Sequence, residues 1–217
     1  MASNEEWVVP ASLEARRFCV LETSDAHKDD QAYFAAIWAE MEAGGYEAML
    51  HDLLRFNLTA FNVWRFPATE GLQQQKKLSL ATDMSWWRDV LHRGYVFRSR
   101  LGLEEFFRCW HEEIATELLF ASYTEFAERQ RERHPLSRED FGRFMVSLGA
   151  EAKRMSKAMI GEHVADVPAP YGTTREAEPI YQPRPPGYHV RTLTASREAF
   201  TKTTKLTFDW QDPDENT

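Results

Sequence analysis

The chain has 217 residues, of which 43% are hydrophobic and 13% aromatic, and its formal charge is -8 at pH 7. It is long enough to bury a core and too apolar to be intrinsically disordered. The negative charge argues against indiscriminate polyanion binding, and the lack of a signal peptide or long apolar run predicts an intracellular protein without a membrane span. The charge is uneven, since residues 128–205 carry 14 Lys and Arg against 10 Asp and Glu, whereas the remainder carries 12 against 24.

The two cysteines, Cys19 and Cys109, are far apart in sequence and form no CxxC motif. This usage predicts reduced, buried thiols in a cytosolic protein. We expect no metal site.

Two short apolar runs lie within residues 1–23. Trp7–Val9 and Phe18–Leu21 both include β-branched residues, and Pro10 follows the first run. This pattern predicts two strands joined by a loop, which would complete a sheet whose other strands are missing.

The same segment contains Asn4 and, about a dozen residues later, the paired Arg16 and Arg17. An Asn followed by an Arg pair also occurs often by chance.

Residues 24–134 predict a helical region. Apolar residues recur at three- and four-residue spacing over 33–41 and 46–56, and Gly44-Gly45 separates the two runs, which predicts a helical hairpin. Further helices are predicted over 69–78, 82–93 and 112–134. We interpret Gln73–Lys77 as a solvated helix face, and the paired Trp86 and Trp87 as core residues.

Residues 135–210 predict a small subdomain with a candidate DNA contact. Ser137 caps a helix that runs to about Leu148, and a second short helix is predicted over 150–160. An irregular loop over 164–178 and two extended segments follow, with Arg184 between them. Two short helices and such a wing suit a winged helix-turn-helix. The cations that would contact DNA are Lys153, Arg154, Lys157 and Arg184.

These cations have an equally weighted second interpretation, as the solvated side of a small α+β subdomain. At the end of the chain, Phe200, Phe208 and Trp210 are expected to fix the C-terminus by packing, and residues 211–217 to be disordered.

Several of these motifs together resemble the C-terminal part of phage- and plasmid-type primase-helicases, whose helicases belong to superfamily 3. The segment with Asn4 and Arg16-Arg17 resembles their sensor-Asn and arginine-finger segment. This resemblance implies that the carboxamide of Asn4 holds a γ-phosphate or the attacking water without adding charge. It also implies that a guanidinium from Arg16 or Arg17 of a neighbouring subunit neutralises the charge that develops in the transition state, while the other pairs with a nearby carboxylate. The run Glu47–Leu54 is similar to the helical region that follows their helicase core. Ser196–Phe200 and Phe208–Trp210 resemble their terminal signature.

The resemblance implies a mainly α chain of the α+β class: a strand remnant of an ATPase domain (1–23), a helical region (24–134), a winged-helix-like subdomain (135–210) and an acidic tail (211–217). It implies DNA as the partner, a homo-oligomeric ring of the complete helicase, and the cytoplasm of a bacterial host.

The implied catalytic residues Asn4, Arg16 and Arg17 would act only within a complete ATPase ring. No Gly-x-x-x-x-Gly-Lys-[Ser/Thr] occurs, and no apolar strand with paired carboxylates precedes Asn4. The phosphate and Mg²⁺ sites are therefore expected before Met1, and this chain alone is expected to bind no cofactor and to hydrolyse no ATP.

Two other hypotheses remain open. The acidic first part and the many Trp and Phe residues also suit a free-standing helical module that binds a protein partner and no nucleic acid, and an exposed aromatic patch would favour it. A decayed or truncated reading frame without activity is the third.

Overall fold

The computed structural model describes residues 3, 5–62, 64, 67–96, 109–170 and 172–210. Over these ranges the protein is a mixed α+β chain with small antiparallel sheets. It divides into two compact units, residues 1–78 and 79–217, and each has its own apolar cluster. No helix in the described ranges is long and apolar enough to cross a membrane.

The first unit begins with an irregular segment. The strands predicted at 7–9 and 18–21 are wrong, because neither is a strand in the described residues. Instead of pairing with another strand, the backbone amides of Val8 and Val9 donate to the side-chain Oε1 of Gln75, at 2.7 and 3.2 Å. A side-chain amide thus satisfies backbone donors that a sheet would otherwise satisfy.

Two helices confirm the predicted pair. They are α1 (Gln31–Glu40) and α2 (Tyr46–Arg55), and a π-helical turn (Met41–Gly45) joins them. Gly44 supplies the bend at a φ of 106°, a conformation that glycine adopts without steric cost. A short 3-10 turn, Asp25–His27, precedes α1.

The third helix, α3 (Glu70–Leu78), contributes Leu72 and Gln75 to the core of the first unit. Gln75 is only 4% exposed, and the Nζ of Lys76 donates to the carbonyl of Leu13 at 2.8 Å. The interpretation of Gln73–Lys77 as a solvated face is therefore wrong for Gln75. The buried apolar residues of this unit are Val9, Ala11 and Leu72.

The second unit packs helices around a core rich in aromatic side chains. Trp86 is 1% exposed, its indole N–H donates to Ser122 Oγ at 3.1 Å, and its ring lies 5.4 Å from that of Phe141. The expected core role of Trp86 and Trp87 is confirmed. The helices are α4 (Thr82–Arg93), α5 (Thr116–Arg129), α6 (Arg138–Ser147) and α7 (Leu193–Thr204).

A three-stranded antiparallel sheet lies beside these helices, in the order β1 (Glu113–Ala115), β5 (Pro186–His189), β2 (Glu151–Arg154). A long antiparallel hairpin, β3 (Lys157–Ala169) and β4 (Gly172–Pro183), connects β2 to β5.

The helix predicted over 150–160 and the loop predicted over 164–178 are therefore wrong. Ala, Lys, Arg and Met are good helix formers, but pairing of β2 and β3 with β5 and β4 overrides that local preference. The predicted helix 112–134 is shorter than expected for the same reason, since residues 113–115 pair with β5.

The expected packing of the C-terminal aromatic residues is confirmed. The ring centroid of Phe208 lies 5.3 Å from that of Phe200 and 4.9 Å from that of Trp210. Arg197 is 8% exposed, and its Nε donates to the carbonyl of Leu91 at 3.0 Å, near the end of α4. The predicted tail, 211–217, lies outside the described residues.

Candidate nucleic-acid interface

The four cations predicted to contact DNA lie together at the base of the β3–β4 hairpin. Lys153 and Arg154 end β2, Lys157 begins β3, and Arg184 lies between β4 and β5. The Nη1 of Arg154 donates to the backbone carbonyl of Arg184 at 3.3 Å, and the amide of Arg184 donates to the carbonyl of Ser156 at 3.1 Å. The fold thus brings Arg184 to three cations that are distant from it in sequence.

The chain bends at Ser156, between β2 and β3, and at Arg184, between β4 and β5. Arg184 has a φ of 53°, in the left-handed region, and the amide of Met155 donates to the carbonyl of Pro185 at 3.0 Å. A left-handed conformation at a residue other than glycine costs about 1–2 kcal/mol. The bend therefore rests on cross-strand hydrogen bonds rather than on local preference.

Electrostatically, Lys153 differs from the other three cations. Its ammonium forms a hydrogen-bonded ion pair with Glu113. The hydrogen bond from Lys153 lowers the pKa of the Glu113 carboxyl. Within the described ranges, no ion pair to a carboxylate involves Arg154, Lys157 or Arg184, and all four side chains are exposed. Three cations thus remain for an anionic ligand.

An aromatic side chain accompanies the cations. Tyr181 lies opposite Met159 in the ladder and is 50% exposed, and the Nζ of Lys157 lies 4.8 Å from its ring centroid. Tyr181 is not among the residues predicted from the sequence to contact DNA. The available signal was only its place in an extended segment just before Arg184.

A pocket of about 420 Å³ opens next to Tyr181. The indole N–H of Trp110, on its wall, donates to the carbonyl of Arg191 at 2.9 Å, which fixes that ring. The Sγ of Cys109 lies 3.4 Å from Nε2 of His111 on the same side. The apolar and aromatic residues of the lining include Trp110, Ile114, Leu118, Met155, Met159 and Tyr181.

Both cysteines are exposed, so the predicted burial of Cys19 and Cys109 is wrong. Cys19 lies in the irregular N-terminal segment, which has few apolar residues to cover it. No group of three or more His, Cys, Asp or Glu in the described part of the chain could hold a metal ion.

The cations of α6 differ from those of the hairpin. Arg143 donates to Glu139 at 2.7 Å and to Asp140 at 2.8 Å, and Arg138 forms an ion pair with Glu117. Arg143 thus pairs with carboxylates of its own helix and Arg138 with a carboxylate of α5, and the charges within α6, two Arg against Glu139 and Asp140, cancel.

Two of the three residues of the predicted ATPase segment, Arg16 and Arg17, lie in the described part of the chain. Asn4 lies outside the described residues. Arg16 and Arg17 are exposed, and the Nη2 of Arg16 lies 3.9 Å from Oε2 of Glu14, with both side chains at least 70% exposed. A pair of this kind contributes about 0–1 kcal/mol, so it leaves Arg16 available to another ligand.

A second surface feature lies on the first unit. Neither α1 nor α2 contains a buried residue, and large apolar side chains along residues 33–64 are at least 41% exposed. We call this set the apolar surface. Its members are Tyr33, Phe34, Ile37, Trp38, Tyr46, Met49, Leu50, Leu53, Leu54, Phe56, Leu58, Phe61 and Trp64.

Comparisons with protein-family models, with curated proteins and with solved structures give no match for this chain.

Proposed function

We propose that the chain is the C-terminal portion of a phage- or plasmid-type replicative primase-helicase, in which it contributes DNA binding and subunit contacts. The observation that carries the proposal is the position of Lys153, Arg154, Lys157 and Arg184 at one end of one hairpin. ATP and Mg²⁺ would be bound elsewhere in the complete enzyme, in the cytoplasm of a bacterial host.

The order of elements in the second unit supports a winged-helix-like subdomain, although one that would begin at α4 and not at the predicted boundary of 135. The helices α4, α5 and α6 precede a hairpin, and β1 lies between α4 and α5. The returning strand, β5, pairs with both β1 and β2. Winged helices have this same strand order, with the hairpin as the wing. The four cations would then lie at the base of the wing.

Phosphate contacts explain how an acidic protein could bind DNA here. Each neutralised phosphate releases counterions, so the affinity falls with salt at a logarithmic slope of about -0.9 per contact on duplex DNA. Three contacts, from Arg154, Lys157 and Arg184, would give a slope of about -2.7. The bulk of the negative charge lies elsewhere in the sequence.

The apolar surface supports the proposed subunit contacts. Proteins that function as monomers rarely leave large apolar patches in water. In the proposed enzyme, the ATPase domain or a neighbouring subunit would cover Trp38, Leu50 and Leu54, which are 63%, 57% and 78% exposed.

Fluorescence anisotropy of labelled DNA across a salt series tests the DNA-binding proposal. Changing both Arg154 and Lys157 to Ala should weaken binding and reduce the salt slope by about 1.8 on duplex DNA or about 1.4 on a single strand. The matched control changes Arg143 and Lys202 to Ala, which removes the same charge from exposed positions on α6 and α7. Equal effects of the two double variants would contradict the proposal, as would no DNA binding at low salt.

A test of the catalytic roles of Asn4, Arg16 and Arg17 requires the complete enzyme. With the upstream ATPase domain joined to this chain, changing Arg16 and Arg17 to Ala should abolish ATP turnover, because the finger stabilises charge in the transition state. Intact turnover would show that the arginine-finger assignment is wrong. Asn4→Ala should likewise reduce turnover.

The second candidate function is a protein-interaction module without a nucleic-acid role, and the apolar surface favours it. Changing Leu50 and Leu54 to Asp should prevent association with a purified partner protein other than an ATPase domain, in a titration followed by Trp fluorescence. If that association occurs while no oligonucleotide binds at any salt concentration, the interaction module is the better description.

A further inference from the structure

The charge arrangement of α6 disfavours duplex DNA as its ligand. Duplex readout places a helix in the major groove, where phosphates flank it on both sides. The guanidinium groups of Arg138 and Arg143 are already paired, and Glu139 and Asp140 lie in the first helical turn. This helix therefore offers little net positive charge to a groove.

The hairpin base has the two components of a single-strand binding site. Proteins that bind single strands combine cations along the backbone path with aromatic rings on which bases stack. Arg154, Lys157 and Arg184 provide the cations, and Tyr181 provides a half-exposed ring beside them.

The pocket next to Tyr181 suits a planar heterocycle. Its volume of about 420 Å³ falls in the range of about 300–1,000 Å³ for small-ligand pockets. Trp110, Met155 and Met159 are among the residues that line it, and His111 and Glu113 provide polar groups at its wall. Bases in a duplex are stacked and paired, so only an unpaired base could enter it.

We infer that the hairpin base binds single-stranded DNA, with one unstacked base against Tyr181 in this pocket and the flanking phosphates on Lys157, Arg154 and Arg184. The inference rests on the proposed DNA-binding function. It adds the class of strand and identifies Tyr181 as a further binding residue.

The test measures anisotropy with three ligands of equal length: an oligothymidylate, its duplex, and a strand of abasic nucleotides that retains every phosphate. One lost base stack corresponds to a decrease in affinity of about 5- to 150-fold. The native protein should bind the abasic strand more weakly than the oligothymidylate by this factor. Tyr181→Ala should bind the oligothymidylate more weakly than the native protein does by the same factor. The abasic strand should bind native and Tyr181→Ala proteins equally.

Three variants show whether the ring itself is responsible. Tyr181→Phe retains the stacking face and should bind the oligothymidylate as the native protein does. Ile180→Ala changes the neighbouring exposed residue of the same strand and should also bind normally. Changing both Arg154 and Lys157 to Ala should weaken the oligothymidylate and the abasic strand alike.

The outcomes separate this inference from the proposed function. Equal affinity for the duplex and the single strand, with no effect of Tyr181→Ala, overturns the inference and leaves the DNA-binding proposal intact. No binding of any oligonucleotide overturns both. If thymidine monophosphate alone saturates the site and the oligothymidylate binds no more tightly, the pocket is a mononucleotide site and the inference is wrong.

Discussion

The side chain of Gln75 is expected to hold the N-terminal segment of the first unit on α3. Its Oε1 accepts from the amides of Val8 and Val9, and its Nε2 donates to the carbonyl of Glu6 at 2.7 Å. Within the described residues, the apolar cluster at this point has three buried members and four partly buried ones, so these hydrogen bonds supplement a small apolar contact. Gln75→Ala removes all three at once.

The magnitude follows from the burial of these groups. A hydrogen bond contributes about 0.5–1.5 kcal/mol net, and more is lost when a buried partner stays unsatisfied. Val8 is half-buried and can regain water, whereas Val9 is buried. Three bonds with partial rehydration give about 2 kcal/mol for detachment of the segment. This corresponds to about 30-fold faster exchange of the protected amides.

Amide hydrogen exchange at Val8 and Val9 measures this attachment. Gln74→Ala is the matched control, since it removes the same side chain one position away on α3. Gln75→Glu retains an acceptor but brings a carboxylate oxygen toward the carbonyl of Glu6, so its exchange should also be faster. Equal exchange in Gln75→Ala and Gln74→Ala would refute the reasoning.

Three further predictions concern the second unit. In Gly187→Ala the new Cβ would lie 2.7 Å from the carbonyl oxygen of Ile114, and overpacking against backbone should cost about 1–3 kcal/mol in the free energy of unfolding measured by denaturant titration. Arg197→Ala leaves carbonyls at the end of α4 without their charged donor, and should cost about 1.5–3 kcal/mol in the same assay. The Thr82 hydroxyl hydrogen bond lowers the pKa of the Glu132 carboxyl below its ordinary 4.5. Glu132→Gln should therefore lower the melting temperature above pH 4.5, and the difference from the native protein should shrink as pH falls through the lowered pKa.

Each of these predictions has an internal control. Gly161→Ala places its Cβ in open space and should leave stability unchanged, so an equal loss in Gly161→Ala and Gly187→Ala would contradict the packing argument. The control for Arg197→Ala is Lys202→Ala, which changes an exposed cation on the same helix. For Glu132→Gln, a melting difference that persists at pH 2 would show that ionisation of the carboxyl is not the cause.

Local sequence patterns predicted the elements whose contacts are near in sequence. The three- and four-residue spacing over 33–41 and 46–56 corresponds to α1 and α2, because a helix closes its hydrogen bonds within one turn. The cap by Ser137 is a contact over three residues, and its hydroxyl accepts from the amide of Asp140 at 3.1 Å.

The candidate interface could be predicted only in part. Lys153, Arg154 and Lys157 were identifiable as a basic cluster in sequence and Arg184 as a separate cation between two extended segments, but the predicted helix would have placed the first three on a helical surface. In the structure Lys153 and Arg154 lie at the end of β2 and Lys157 at the start of β3, beside Tyr181. Nothing in the local pattern indicated the pocket, since its walls come from residues 109–118 as well as from the hairpin.

By itself, the sequence determined the helices of the first unit, the core position of Trp86 and Trp87, and the packing of Phe200, Phe208 and Trp210. Hydrophobic periodicity and apolar side chains can be identified within a few neighbouring residues, so these features need no distant partner. Only the tertiary structure decided that residues 150–160 are strands and that Gln75 is buried. Strand pairing and the satisfaction of a buried amide both depend on partners dozens of residues away, and local preference cannot specify such partners.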